Sequence, residues 1–309
     1  MRLVFLGSGR FAVASLEALV EARHHVAAVV TQPDRESGRG RAVCPPPVKP
    51  VAQSLGLPVL QPPRIKSPDA LAALAHLAPD VQVVVAYGQI LPAPVLAIPP
   101  LGTINVHASL LPLYRGAAPV QWAIANGERE TGVTAMLLDE GLDTGPILLR
   151  RSLQIGAEET SEQLEARLSP LGADLLLQTL AELAGGRLRP VPQDHQRATL
   201  APRLRKEDGR VDWRLPAQAL ERRVRAFQPW PGATTVFGSR ALQVRRARVE
   251  EGCSGEPGIV LLADRDGILV GCGGGSCLRL IEVQPESRRV MSAAAFAAGA
   301  RVEPGMRLG

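Results

Sequence analysis

The chain has 309 residues, 46% hydrophobic and 21% charged, a balance that fits a folded protein of about two domains and excludes a disordered one. No apolar run reaches the roughly 18 residues of a membrane-spanning helix, and the opening Met1–Gly9 is too short, and too soon broken by glycine, for a signal peptide. The net charge of +5 is uneven: residues 1–200 hold 17 Lys+Arg against 18 Asp+Glu, and residues 201–309 hold 18 against 12.

Strand and helix signals alternate through the first half. Arg2–Leu6 is a short apolar run closed by Gly7-Ser8-Gly9, and Phe11–Ala22 carries a helical pattern. His25–Thr31 is a second strand, Val48–Leu55 a helix, Pro58–Leu60 a short strand and Asp69–Leu77 a helix. Val81–Ala86 is a near-continuous valine run, the signature of a strand buried on both faces. Thr103–His107 is another strand and Ala117–Ala125 another helix. This rhythm predicts an α/β fold with an open, mainly parallel sheet, which places ligands at the carboxyl ends of its strands. Between Gln32 and Pro50 the texture changes to a long Pro/Gly-rich basic loop, and loops of that length are usually functional.

Gly132–Leu149 reads as two strands around Gly141-Leu142-Asp143-Thr144-Gly145. A long helix follows from Thr160, with Gln163 completing a capping pair, to Leu183 before Gly185-Gly186. Arg187–Asp208 is polar, and Ala217–Ala226 is a short helix. Five short β-like runs then end the chain: Thr234–Phe237, Leu242–Val249, Gly258–Leu262, Gly267–Val270 and Leu278–Val283. Their spacing predicts a small all-β domain, an OB-like barrel, and its basic excess points to a polyanion such as nucleic acid. The expected division is a first domain over 1–188, a linker over 189–207 and a second domain over 208–309. Cys44, Cys253, Cys272 and Cys277 form no C-x-x-C pair, so they read as incidental thiols of a reduced, cytoplasmic protein.

Gly7-Ser8-Gly9-Arg10-Phe11-Ala12 matches the loose form of a dinucleotide fingerprint. The second strand, however, ends at Thr31-Gln32 without the acidic residue a ribose needs, which favours a plain tight turn over a nicotinamide site. Asn105 and His107 are more telling. Two apart on a strand, they leave the same face near its carboxyl end. An amide donor beside an imidazole suits a carbonyl whose oxygen becomes negative. Asp143 is placed either to orient His107 and stabilise its imidazolium or to make an ordinary Asx turn. No nucleophile elbow, metal-ligand spacing or phosphate-binding loop is present in the sequence.

Asn105-Val106-His107-Ala108-Ser109-Leu110-Leu111-Pro112, followed by Asp143, resembles the formyltransferase family that uses 10-formyltetrahydrofolate. Thr31–Arg35 with Gly38-Arg39-Gly40-Arg41, Ala86–Pro92, Tyr114–Pro119 and Arg225–Pro231 narrow the resemblance to its methionyl-tRNA formyltransferase members, and it extends through Met291-Ser292 to Pro304–Leu308. The first turn departs from relatives, which commonly carry Gly-Thr-Pro there. The resemblance implies a Rossmann-like formyltransferase domain followed by an OB-like barrel.

It also implies transfer of the formyl group of 10-formyltetrahydrofolate to the amine of methionine on initiator methionyl-tRNA, with no metal, by a monomer. Carried over residue by residue, Asn105 and His107 stabilise the oxyanion, and Asp143, with His107 and an ordered water, handles the proton. Ser109, Leu110, Leu111 and Pro112 lie against the folate. Gly88, Gln89, Ile90 and Leu91, with the loop 139–143, wall its pterin ring. Arg39, with Arg41 and Lys49, enters the acceptor end of the tRNA, and the basic barrel holds phosphates. Glycinamide ribonucleotide transformylases share the Asn–His–Asp set but lack the basic loop and barrel. Amino-sugar formyltransferases and folate hydrolase domains carry a C-terminal β-domain and should lack the Gly38–Arg41 loop in this form. A folate- or tRNA-binding protein without catalysis has no need of the Asn–His–Asp set.

Overall fold

The computed structural model describes residues 1–37 and 42–309; Arg39 and Arg41 lie outside the described residues. The chain divides into two compact units. One comprises Met1–Pro119, Glu130–Gln154 and Glu165–Pro202, and the other Val120–Arg129, Ile155–Leu164 and Arg203–Gly309.

The first unit is built on strands β1 (Arg2–Gly7), β2 (His25–Val30), β3 (Arg35–Ser37), β4 (Ala42–Cys44), β5 (Val59–Leu60), β6 (Val81–Val85), β7 (Thr103–His107), β8 (Arg115–Gly116), β9 (Glu130–Leu137), β10 (Ile147–Gln154) and β11 (Leu200–Ala201). Seven of them form one sheet in the order β10-β9-β7-β6-β1-β2-β5. The pairs from β5 to β7 are parallel, and β9 and β10 join antiparallel at the β7 side. The expected open, mainly parallel sheet is therefore present. Its helices are α1 (Val13–Glu21), α2 (Val48–Ser54), α3 (Pro68–His76) and α4 (Ala93–Leu96), and α5 (Pro119–Asn126) and α6 (Ser161–Ala184) follow in the chain.

Local chemistry explains these elements. Every residue of β6, Val-Gln-Val-Val-Val, is buried, as parallel strands covered on both faces require. Gln82, the polar exception, uses Oε1 to accept the Thr103 hydroxyl of β7 at 3.2 Å. Ser67 caps α3 by accepting the Ala70 amide at 3.3 Å, with Pro68 at the first helical position. Thr160 and Gln163 form the expected reciprocal pair before α6.

The turn Gly7–Ala12 is occupied internally. The Ser8 hydroxyl donates to the Tyr87 carbonyl at 3.1 Å and accepts from Gln32 N and the Thr31 hydroxyl, which ties together the ends of β1, β2 and β6. Residues 189–202, expected in a linker, belong to the first unit. β11 pairs with β8, and Val191 bridges Ile147.

The second unit holds α7 (Ala217–Ala226), β12 (Ala233–Phe237), β13 (Arg240–Glu250), β14 (Val260–Asp264), β15 (Gly267–Cys272), β16 (Ser276–Pro285), β17 (Met291–Ser292) and α8 (Ala293–Ala300). The strands run β12-β13-β16-β15-β14, antiparallel throughout, with β17 on β16. The last residues bridge the two edges. Val260 N donates to Met306 O and Leu308 N to Gly258 O on the β14 side, while Gly309 N donates to Val236 O on β12. The sheet thereby closes into the small OB-like barrel, which removes its free edges. Trp213, Leu220, Val224, Leu242, Val244, Ile268, Val270, Leu278 and Leu280 fill it.

The incidental-thiol reading of the cysteines is corrected in part. Cys253 and Cys277 form a disulfide, while Cys44 and Cys272 are free. Sequence spacing hides this pair because the antiparallel register, Glu250 opposite Cys277, brings it together across a strand boundary.

Candidate active site

Asn105 and His107 leave one face of β7, both buried, and among the described residues no hydrogen-bond partner engages the Asn105 amide. An amide with free N–H groups at this place is able to donate to an oxygen on which negative charge develops. His107 is held tightly. Its Nε2 lies 2.9 Å from the Tyr114 carbonyl.

Asp143 reaches the same place from the β9–β10 loop. Its Oδ2 lies 3.7 Å from His107 Nδ1 and accepts the Gly116 amide at 2.8 Å. Asp143 adopts φ 53, a left-handed conformation that Asp tolerates better than most residues. Two glycines make this placement possible, Gly145 in the loop and Gly116 on β8. A Cβ at Gly145 would fall 1.8 Å from the Leu137 carbonyl oxygen, and one at Gly116 would fall 2.6 Å from that of Ala201.

Around this triad the segment 109–113 is fixed by polar contacts. The Ser109 hydroxyl donates to Leu113 O at 2.6 Å, and the Thr134 hydroxyl donates to Ser109 O at 2.6 Å while accepting Leu111 N. Arg150 donates to Leu111 O at 3.0 Å. Ser109 and Leu111 are buried, whereas Leu110 and Pro112 are half-buried. In the loop after β6, Ile90 is 83% exposed, and Leu142 beside Asp143 is 59% exposed. These are large apolar side chains left on two loops expected to face a flat ring. Leu91 is buried, and Gly88 takes φ 86. Gln89 is committed elsewhere: its Oε1 accepts Ile65 N at 2.8 Å. Burial pushes the Tyr87 phenol up to about 12, so it stays protonated near neutrality.

At the base of the basic loop, Lys49 Nζ lies 2.7 Å from Asp34 Oδ2, and Gln61 donates to Asp34 Oδ1. The Lys49 and Gln61 hydrogen bonds hold the Asp34 carboxyl below the usual carboxylate range. On β13 of the barrel, Arg246 and Arg248 are exposed.

Sequence reasoning missed Gln193, Thr199 and Arg115, which fasten this site from behind. Gln193 is buried and bonds both Arg115 and the turn that carries Asp143. Thr199 accepts Tyr114 N at 2.8 Å. Only the Tyr114–Pro119 block hinted at them, and nothing local marks Gln193 in its polar stretch.

Residues 1–180 match the formyl transferase family model, and residues 203–301 match the formyl transferase C-terminal domain. A methionyl-tRNA formyltransferase of Citrifermentans bemidjiense is 50% identical over 309 residues, 100% of this chain and 96% of the relative. That of Myxococcus xanthus is 51% identical over 304 residues, 98% of this chain and 96% of the relative. Among solved structures, an N-formyltransferase from Helicobacter canadensis, in complex with folinic acid and dTDP-3-aminofucose, shares the fold. Its TM-score is 0.66 at 16% identity, over 92% of this chain and 98% of that one. HypX from Aquifex aeolicus with tetrahydrofolic acid gives a TM-score of 0.65 at 21% identity over 96% of this chain, which spans only 47% of HypX. With two family models covering most of its length and full-length relatives at half identity, the chain belongs to the methionyl-tRNA formyltransferase family.

Proposed function

We propose that this site transfers the formyl group of 10-formyltetrahydrofolate to the free amine of methionine on initiator tRNA, giving N-formylmethionyl-tRNA. The observation that carries the chemistry is the unpartnered amide of Asn105, nearly buried beside a His107 ring fixed by Tyr114. Membership of the family supplies the acceptor.

The donor set suits 10-formyltetrahydrofolate, a cosubstrate that brings a formyl carbon on N10. The exposed Ile90 and Leu142 offer apolar surface to a ring, and Ser109–Pro112 offers a wall made rigid by Thr134 and Arg150. In the reaction the methionine nitrogen bonds to the formyl carbon, the C–N10 bond breaks, and a proton passes from amine to N10.

Asn105 donates to the formyl oxygen as it becomes negative, strongest where charge develops, whereas His107, expected to share that role, has its Nε2 hydrogen committed to the Tyr114 carbonyl. The Tyr114 carbonyl can only accept, so Nε2 of His107 carries a hydrogen and Nδ1 is the nitrogen free to take and return a proton. Asp143, 3.7 Å from Nδ1, stabilises the imidazolium formed when that proton arrives. No covalent intermediate with the protein is needed, because the acceptor amine is itself the nucleophile.

For the tRNA, Arg39 and Arg41 serve as loop contacts, and Lys49 also anchors the loop base through Asp34. The exposed Arg246 and Arg248 of β13 offer phosphate contacts, which orient a nucleic acid more than they identify it. The test is incubation of the purified chain with labelled 10-formyltetrahydrofolate and initiator methionyl-tRNA. Label recovered as N-formylmethionine after deacylation supports the proposal, and label found only as formate contradicts it.

A further inference from the structure

We infer that Gln193 is a positioning residue, setting the Asp143 carboxylate against His107; the inference rests on the catalytic reading given above. Gln193 lies in a polar stretch without regular structure, yet it is buried. Its Oε1 accepts from Arg115 Nε at 3.1 Å and from a second guanidinium nitrogen at 2.7 Å. A guanidinium only donates, so the amide has one possible orientation. Nε2 therefore points the other way and donates to Asp143 O at 2.9 Å and to Gly145 O at 2.7 Å. Both hydrogens and both lone pairs of the amide are in use.

The consequence for Asp143 is specific. Its left-handed backbone persists only where the surroundings over-determine it, and Gln193 grips the carbonyls at 143 and 145. The same amide holds Arg115, whose neighbour Gly116 donates its N–H to Asp143 Oδ2 at 2.8 Å. One side chain thus fixes the backbone that carries the carboxylate and the strand that aims it. Arg115 is held further by Thr199 O, which accepts its amide at 2.8 Å, and by His195 Nδ1 at 3.2 Å from its guanidinium. Gln193 has no bond to Asn105 or His107 themselves, so its influence on transfer runs through Asp143.

The test is a double-mutant cycle, read as single-turnover formyl transfer to initiator methionyl-tRNA at high enzyme concentration, with steady-state kcat and KM for the active proteins. Gln193→Ala should lower the transfer rate by about 10- to 100-fold, the usual scale for a misplaced catalytic group, with both KM values within about threefold. Gln193→Glu still accepts from Arg115 but turns an oxygen toward the two carbonyls, so its rate should fall as far. Should the alanine variant fail to fold, the glutamate variant carries the cycle. In an Asp143→Ala background either change should cost nothing further. Losses that multiply in that background, or a Gln193 variant with wild-type rate, overturn the inference. A wild-type chain that transfers nothing to the tRNA would instead overturn the catalytic reading on which it rests.

Discussion

The ring of His107 and the backbone of Tyr114 meet at a single hydrogen bond of 2.9 Å, from Nε2 to the carbonyl oxygen, and that bond decides the chemistry of the other nitrogen. With Nε2 occupied as a donor, Nδ1, the nitrogen that faces Asp143, is the one left without a hydrogen. Tyr114 holds its carbonyl there from a left-handed backbone, φ 60, braced by Thr199. Imidazole tautomer, ring orientation and carboxylate are thus fixed by one loop system.

The first prediction concerns the oxyanion. Asn105→Ala removes a side-chain donor with no other partner among the described residues, so the strand should keep its fold. Its kcat should fall by about 10²- to 10³-fold, or about 3 kcal/mol in the barrier, while folate binding stays within a few-fold. Steady-state kinetics with a parallel folate titration would check both halves; a change in KM alone would reassign Asn105 to substrate binding.

The second concerns the proton. His107→Ala or Asp143→Ala should collapse turnover while leaving folate affinity within a few-fold. Unchanged turnover in either variant would remove the proposed roles.

A third separates the basic loop from the chemistry. Arg39→Ala should weaken the use of initiator tRNA and spare any slow hydrolysis of the formyl donor without tRNA. Asp34→Asn, which takes the charge from the partner of Lys49, should move the same way through the loop base. Loss of both activities together would mean that the loop supports the fold.

Thiol chemistry gives a fourth. Cys44 is exposed, whereas Cys272 is buried and its thiol is pushed up to about 12. Only thiolate reacts readily, so near pH 8 a maleimide should label Cys44 quickly and Cys272 only after unfolding. Reduction should add reactivity at the half-buried Cys253, while Cys277, fully buried, should label only after unfolding. Rapid labelling of Cys272 in the native protein would contradict the packing of β15.

Acid stability gives a fifth. The Arg279 hydrogen bond holds the Glu250 carboxyl below its ordinary 4.5, so the folded value lies under the unfolded one. The stabilisation is therefore fully present above the unfolded value and is lost as pH falls through the folded value. Glu250→Gln should lower the thermal midpoint at about pH 6, and the gap to wild type should close toward about pH 3. A gap that does not depend on pH would mean that Glu250 acts by packing.

What the sequence made legible was whatever repeats with a local period. The valine run of β6, the alternation that puts Asn105 and His107 on one face, and the capping pair Thr160–Gln163 all follow from short-range rules. What stayed hidden depends on partners distant in the chain. Two-residue strands such as β8 and β11 have no period to read, so the part that residues 191–201 play in the first unit was invisible, and the buried Gln193 with it. The helix α8 was missed because Ala293–Ala300 is nearly all alanine and shows no polar face. The closing of the barrel by Met306–Gly309 rests on main-chain hydrogen bonds, which side-chain patterning does not record.

The most direct measurement is formyl transfer from labelled 10-formyltetrahydrofolate with four acceptors in parallel: methionyl-initiator tRNA, methionyl-elongator tRNA, glycinamide ribonucleotide and a 4-amino sugar nucleotide. The account predicts transfer to the initiator tRNA alone, and much slower transfer in Asp143→Ala. Transfer to either small amine, with the initiator tRNA left unformylated, would contradict it.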